Sequence, residues 1–313
     1  MAAGGIGFLK RLWVVLLLAA GFASAGRAQA GDAKGGEKTY PVQTIENIAY
    51  YEGKDADPVK HKLDLYVPKG KKGFAVLVFL HGGAWTIGDK VGLFGVHRTF
   101  ARGLARHGIG VVCPNYRLSP RVTHPGHIRD VARAFAWTCK HIAQYGGRPD
   151  AVFVSGHSAG GHLAALLATD DRYLKAVGLT LKAVRGVLPI SGVYRVPNPP
   201  LLVGVFGKDV RRHREASPIT YARGDAPPFL LFCAQTELPS CEKASALAFC
   251  KALQQKKCVA DFREIKDRNH VTILVKALSD QDPVTQGILA FVHKYTPPLP
   301  RPERAVSKRS LAP

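Results

Sequence analysis

Residues 151–169 read AVFVSGHSAGGHLAALLAT, an apolar run that ends at Gly156, a short polar turn about Ser158, and a second apolar run rich in Ala and Leu. The first part suits a buried strand. From Ala159 the Ala and Leu content suits a helix through Thr169. Between them Gly156-His157-Ser158-Ala159-Gly160 places a serine on a tight strand-to-helix turn. Small neighbours there avoid clashes, and the helix N-terminus favours developing negative charge. With 32 Gly and 11 Ser in 313 residues, chance supplies about 0.1 such pattern per chain, so the turn alone is a weak signal.

Upstream, Phe74 to Leu80 is a continuous apolar run that ends in His81-Gly82-Gly83-Ala84-Trp85. Glycines at a strand end let backbone N–H groups approach a substrate oxygen, which acyl transfer needs where the tetrahedral intermediate carries its charge. The candidate donors are Gly83 and Ala84, joined by Ala159 just after the serine; Gly82 is the alternative if the loop turns one residue earlier. A serine hydroxyl is a poor nucleophile until a base takes its proton and an acid orients that base. His270, in Asp267-Arg268-Asn269-His270-Val271, follows the last expected strand. His157 and His162 flank the serine but point elsewhere on an elbow and a helix, while His81 suits bracing of the Gly82-Gly83 loop. Glu237 follows the apolar run Phe229 to Cys233 and is the expected acid. Asp267 and Glu242 are its rivals, the first in the same turn as His270, the second at the start of the next helix.

The elements around these residues alternate. Strands are expected at 43–51, 60–67, 74–80, 109–114, 151–155, 184–190, 228–233 and 259–265, the first two as a hairpin. Helices are expected at 93–107, 128–145, 159–169, 242–256 and 283–295. In the second of these Ile128, Val131, Phe135, Cys139 and Ile142 recur every three to four residues, and Gly146-Gly147 stops it. Such alternation implies an α/β domain over 45–295, with a mostly parallel twisted sheet and helices on both faces. Residues 192–226, rich in Pro and Arg, read as a short irregular insertion. Residues 31–44 read as an N-terminal linker, and 296–313, with five prolines and net charge +3, as a Pro-rich basic tail.

Serine, acid and histidine in that chain order, with Gly-x-Ser-x-Gly and a His-Gly-Gly loop upstream, resemble the α/β-hydrolase family. The segments HGGAWTIGDK (81–90), NYRLSP (115–120), GHSAGGHL (156–163), ASPITY (216–221) and AQTELP (234–239) resemble one branch of it. That branch holds acetylxylan/feruloyl esterase-like (BD-FAE) proteins, arylformamidases and small carboxylesterases. The resemblance spans about residues 45–295. It implies a cofactor-free serine esterase with Ser158 as nucleophile, His270 as general base and Glu237 as orienting acid. Two positions depart from the family pattern. Glu stands where many relatives have Asp, and Ala84 replaces the third glycine of the lipase-type loop.

The chain carries 44 Lys and Arg against 23 Asp and Glu, a formal charge of +21, with 46% hydrophobic residues. That composition excludes global disorder. Lys10-Arg11, the apolar run Leu12 to Ala20 and the small-x-small sites ending at Ala25 and Ala30 read as a secretory signal peptide over 1–30, cleaved after Ala30 or, alternatively, Ala25. Its removal takes away Lys10, Arg11 and Arg27 and no acid, leaving +18. The expected location is secreted or periplasmic, with no stable membrane span after cleavage.

The bases are scattered, with short clusters only at 69–72 and 211–214, and no nucleic-acid-binding motif accompanies them. No Cys or His spacing suggests metal. Cys113, Cys139 and Cys233 read as buried thiols, whereas Cys258 has Cys241 or Cys250 as a possible disulfide partner. Nothing in the sequence fixes an oligomeric state.

Three functions follow in order of expectation. The first is an exported carboxylic-ester hydrolase for short-acyl or aromatic-acyl esters, small molecules or plant polysaccharide. The second is an arylformamidase-type amide hydrolase. The third is a non-catalytic basic protein that binds polyanions.

Overall fold

A computed structural model describes residues 38–299, and from Thr39 onward these form one unit. The signal segment, residues 31–37 of the linker and 300–313 of the tail lie outside the described residues. Eight strands make one sheet: β1 (Val42–Ala49), β2 (Lys62–Pro68), β3 (Phe74–Leu80), β4 (Gly110–Pro114), β5 (Gly147–His157), β6 (Val187–Ile190), β7 (Phe229–Thr236) and β8 (Ala260–Asn269). Their spatial order is β1-β2-β4-β3-β5-β6-β7-β8. The β1–β2 hairpin and the β2–β4 pair are antiparallel, and every pair from β4 to β8 is parallel.

Burial explains the patterns. All seven residues of β3 and all five of β4 are buried, because helices cover both faces of the sheet there. The edge strands alternate instead. β8 exposes Asp261, Arg263 and Lys266, charges that blunt an open edge against pairing with another chain.

Helices α1 (Val96–Arg106), α2 (Gly126–His141), α3 (Ala159–Thr169), α4 (Asp171–Lys175), α5 (Val203–Phe206), α6 (Val210–Glu215), α7 (Lys243–Gln255), α8 (Thr272–Val275) and α9 (Pro283–Tyr295) complete the domain. One core packs Ile128, Val131 and Phe135 of α2, Leu163 and Leu167 of α3, and Phe249 and Leu253 of α7 against the sheet. The opposite core takes Phe100 and Leu104 of α1, Ile273 of α8, and Val284 and Ile288 of α9. Every residue of α3 is buried, as expected of a helix that is apolar all round.

Several boundaries differ from expectation. β1 begins at Val42, inside the stretch expected as linker. β5 starts at Gly147 and runs through His157, and β8 extends to Asn269, so Asp267 lies in the strand and not in a turn with His270. A 3-10 turn, Ile142–Tyr145, ends the helix expected to Tyr145, and another, Leu93–Gly95, precedes α1. The insertion is less irregular than its composition implies: α5, α6 and a 3-10 turn at Pro218–Tyr221 lie within it. Short helices of four to six residues carry too little periodic signal to be read from sequence.

All six cysteines are free thiols. Cys250 Sγ lies 3.6 Å from the Ala260 carbonyl and Cys258 Sγ 3.5 Å from that of Pro227, so the disulfide alternatives for Cys258 are not formed. Cys139 is half-buried, less than expected. Among the described residues no helix is long and apolar enough to cross a membrane.

Candidate active site

The C-terminal ends of β3, β5, β6, β7 and β8 converge on one edge of the sheet, where open α/β sheets bind ligands. After β5, Ser158 takes φ 57°, ψ −119°, a conformation rarely adopted by a non-glycine residue. The turn is held on both sides. Ser158 N donates to Ile190 O on β6 at 2.9 Å, and His162 N donates back to Ser158 O at 3.0 Å. Glycine is required here by contact. A Cβ on Gly156 would meet the Gly160 backbone at 2.5 Å, and one on Gly160 would lie 2.1 Å from Leu80 O. Strand, turn and helix therefore approach β3 closer than any side chain permits.

His270 follows β8 and turns its ring toward Ser158, with Nε2 2.9 Å from Ser158 Oγ. Its Nδ1 lies 2.6 Å from Oε2 of Glu237, the residue directly after β7. With Nδ1–H donating to the carboxylate, Nε2 is left to accept the serine proton. The rivals stand elsewhere. Asp267 is exposed, with its own N–H donating to Gln235 Oε1 at 2.9 Å. Glu242 is the residue before α7, its Oε2 accepting from Ser240 N at 2.9 Å.

The other histidines have structural partners. His157 Nε2 donates to the His270 carbonyl at 2.7 Å, His162 Nε2 to that of Ala216 at 2.7 Å, and His81 Nδ1 to that of Gly82 at 2.8 Å. His157 thus fastens the segment carrying His270, a role the sequence reading did not give it. Ser191 was missed altogether. Its hydroxyl donates to Glu237 Oε1 at 2.5 Å; the only signal for it in the sequence is a polar residue placed directly after a buried strand.

The loop after β3 is built from left-handed residues: Gly83 (φ 115°), Ala84 (φ 50°) and Trp85 (φ 58°). Strain of this kind persists only where surroundings enforce it. Gly83 O accepts from the N–H of both Thr86 and Ile87 at 3.0 Å, and Ser119 N donates to Trp85 O at 2.8 Å. Tyr116 donates its hydroxyl to His81 O at 2.8 Å and stacks on the His81 ring at 4.2 Å. Asn115 Oδ1 accepts from Lys90 N, and Lys90 Nζ reaches buried Asp64 at 2.6 Å. The HGGAWTIGDK and NYRLSP segments therefore form one braced unit. The N–H groups of Gly83, Ala84 and Ala159, and equally that of the alternative donor Gly82, make no hydrogen bond with any described residue. Gly82 packs directly on the elbow, since a Cβ there would meet Ser158 Cβ at 3.2 Å.

Burial pushes the basicity of several histidines down, to about 3 for His81, His162 and His124 and about 4 for His127. In the unfolded chain each titrates near 6.5. Between pH 6.5 and those lower values the unfolded state holds more protons, so stability present above pH 6.5 is lost as pH falls. Each histidine contributes about 1.4 kcal/mol per pH unit within that window. Thermal unfolding across pH 4.5–7.5 should show Tm falling steadily below 6.5. A Tm flat to pH 4.5 would mean these rings are not buried neutral.

Residues 63–180 match the BD-FAE family. The probable carboxylic ester hydrolase LipM of Mycobacterium tuberculosis is 40% identical over 173 residues, covering 50% of this chain and 39% of LipM. The probable isoprenylcysteine alpha-carbonyl methylesterase ICMEL1 of Oryza sativa subsp. japonica is 28% identical over 287 residues, covering 82% of this chain and 64% of that relative. The chain thus spans less than two thirds of either relative's length. A truncated carbohydrate esterase from gut microbiota shares the fold, with TM-score 0.70 at 20% identity over 83% of this chain and 98% of that one. The sheet and the solved structures that share it give the chain the α/β-hydrolase fold, within which residues 63–180 match the BD-FAE family model.

Proposed function

We propose that the protein is a carboxylic-ester hydrolase working through an acyl-enzyme. The observation that carries this is the continuous path from Glu237 Oε2 to His270 Nδ1 at 2.6 Å and from His270 Nε2 to Ser158 Oγ at 2.9 Å. Ser158 Oγ attacks the ester carbonyl carbon while its proton passes to His270 Nε2. Glu237 holds the imidazole in the required tautomer and offsets the imidazolium charge. The oxyanion faces the N–H groups of Gly83, Ala84 and Ala159, each such donor being worth about 10²- to 10³-fold in kcat. Collapse returns the proton from Nε2 to the leaving alcohol. Water, deprotonated by the same nitrogen, then cleaves the acyl–Ser158 ester, and collapse releases the carboxylic acid and frees Oγ, which takes its proton back from Nε2.

The favoured substrates carry a short-acyl or aromatic-acyl group, on small molecules or on polysaccharide. The insertion at 192–226 carries few of the large apolar residues expected of a lipase lid, and its Phe206 is buried, packing edge-on against Trp85 at 5.0 Å. The carbohydrate esterase that shares the fold is consistent with a sugar-borne ester. The N-terminal segment supports export, and the basic surface suits retention near anionic polysaccharide.

Hydrolysis of p-nitrophenyl esters from acetate to palmitate, with acetylated xylan, methyl ferulate and an aryl formamide in parallel, tests the reading. We expect kcat/KM for acetate or butyrate to exceed that for palmitate by about 100-fold, since methylenes that find no pocket gain no binding energy and an overlong chain must displace neighbours, at about 1–3 kcal/mol. Turnover of the formamide with no ester hydrolysed would replace the ester reading by the amide one.

A further inference from the structure

Glu237 presents its two carboxylate oxygens to different partners. Oε2 faces His270. Oε1 accepts from Ser191 Oγ at 2.5 Å and from Ala234 N at 2.7 Å. Ser191 directly follows β6, the strand between β5, which leads to Ser158, and β7, which leads to Glu237. Its place is fixed from both neighbours. The preceding carbonyl, Ile190 O, accepts from Ser158 N at 2.9 Å, and Ser191 N donates to Phe232 O on β7 at 2.8 Å. Ser191 is buried and holds φ 49°, in the left-handed region that a serine seldom occupies. Strain kept at one buried polar residue beside a reacting group points to a positional need.

That need follows from the choice of acid. A glutamate has one more rotatable bond than an aspartate, so its carboxylate sweeps a wider arc and aims less reliably at His270. We propose that Ser191 is a positioning residue that clamps Oε1 of Glu237 and so aims Oε2 at His270 Nδ1, making the longer acid serviceable in this chain. This rests on the ester-hydrolase reading for its kinetic consequence, but the clamp itself is a property of the hydrogen bonds. A hydrogen bond to a charged acceptor is worth enough to change an equilibrium by about 10- to 100-fold, and the residue touches no reacting atom.

The test compares Ser191→Ala and Ser191→Gly with wild type, alone and combined with Glu237→Asp. Both Ser191 variants should lose about 10-fold or more in kcat on p-nitrophenyl acetate with KM within about twofold. Glycine relaxes the left-handed backbone and alanine does not, so equal losses assign the effect to the hydroxyl. In the Glu237→Asp background the shorter carboxylate no longer spans His270 and Ser191, and removing the hydroxyl should cost less than about threefold.

A second measurement does not depend on turnover. The downfield proton resonance of the His270 Nδ1–H bond to Glu237 should be present in wild type and broadened or shifted in both Ser191 variants. Unchanged kcat and an unchanged resonance would overturn the clamp, as would an equal loss in the Glu237→Asp background. If no ester is turned over by wild type while the resonance responds as expected, the ester reading fails and the clamp stands.

Discussion

Ser158→Ala should lower kcat on a short p-nitrophenyl ester by about 10⁴- to 10⁶-fold, with Tm within about 2 °C of wild type. The substitution keeps the Cβ and removes only the hydroxyl, whose partner is His270 Nε2 at 2.9 Å. Packing around the elbow is therefore preserved. What disappears is the atom that forms the acyl-enzyme, so the burst of p-nitrophenol that precedes steady turnover should vanish together with kcat. Residual hydrolysis then rests on the N–H groups of Gly83, Ala84 and Ala159 and on substrate binding alone. A variant that keeps more than about 1% of wild-type turnover would show that ester cleavage uses another nucleophile. Polyanion binding that persists in this variant, in a protein that turns over no ester even as wild type, would favour the non-catalytic alternative.

Gly160→Ala should be the most damaging single-methyl change in the domain. A Cβ there would lie 2.1 Å from Leu80 O and 2.6 Å from His81 O, backbone atoms at the end of β3 with no freedom to swing away. The added methyl must push α3 from the sheet or push the loop at 81–85 from the elbow. Overpacking of this kind costs about 3 kcal/mol or more when backbone blocks relief. For a domain of this size that corresponds to a Tm lower by about 6–12 °C. Activity should fall further than stability explains, by about 100-fold in kcat/KM, because a displacement near 1 Å separates Ser158 from its oxyanion donors. Gly204→Ala is the control. A Cβ on Gly204, in α5, meets nothing within 4 Å, so Tm there should hold or rise slightly. Equal behaviour of the two variants would mean that the elbow is not the tight three-way contact described.

Much of the architecture was legible because its signals are local. Phe74 to Leu80, apolar without alternation, had to be a strand covered on both faces, and it is buried throughout. The order of strands and helices implied a parallel sheet, and Gly156 and Gly160 implied a turn too tight for side chains. Where the reading fell short, the deciding contacts are distant in sequence. β8 continues to Asn269 because Thr236 pairs with it across the sheet, which moves Asp267 from turn to strand. The helices α5 and α6 are too short to show a period. Their positions depend on packing such as Phe206 against Trp85, more than a hundred residues away.

The sequence by itself determined the fold class, and it pointed to the serine on its elbow, to His270 after the last strand and, against two rivals, to Glu237 as the acid. These are residue types at strand ends in a fixed order, and chain order survives without coordinates. The tertiary structure alone decided how the acid is aimed. Three acids competed as partners for His270, and only the register of β7 against β8 brings Glu237, rather than Asp267 or Glu242, to within 2.6 Å of Nδ1. It also decided that Ser191 takes the remaining oxygen, that His157 fastens the carbonyl of His270, and that Lys90, in the segment after β3, is tied to Asp64. The physical reason is common to all of these. Hydrogen-bond geometry is set to a few tenths of an ångström by neighbours 26 to 113 residues apart, and no local pattern encodes a distance between strands that meet only when the sheet closes.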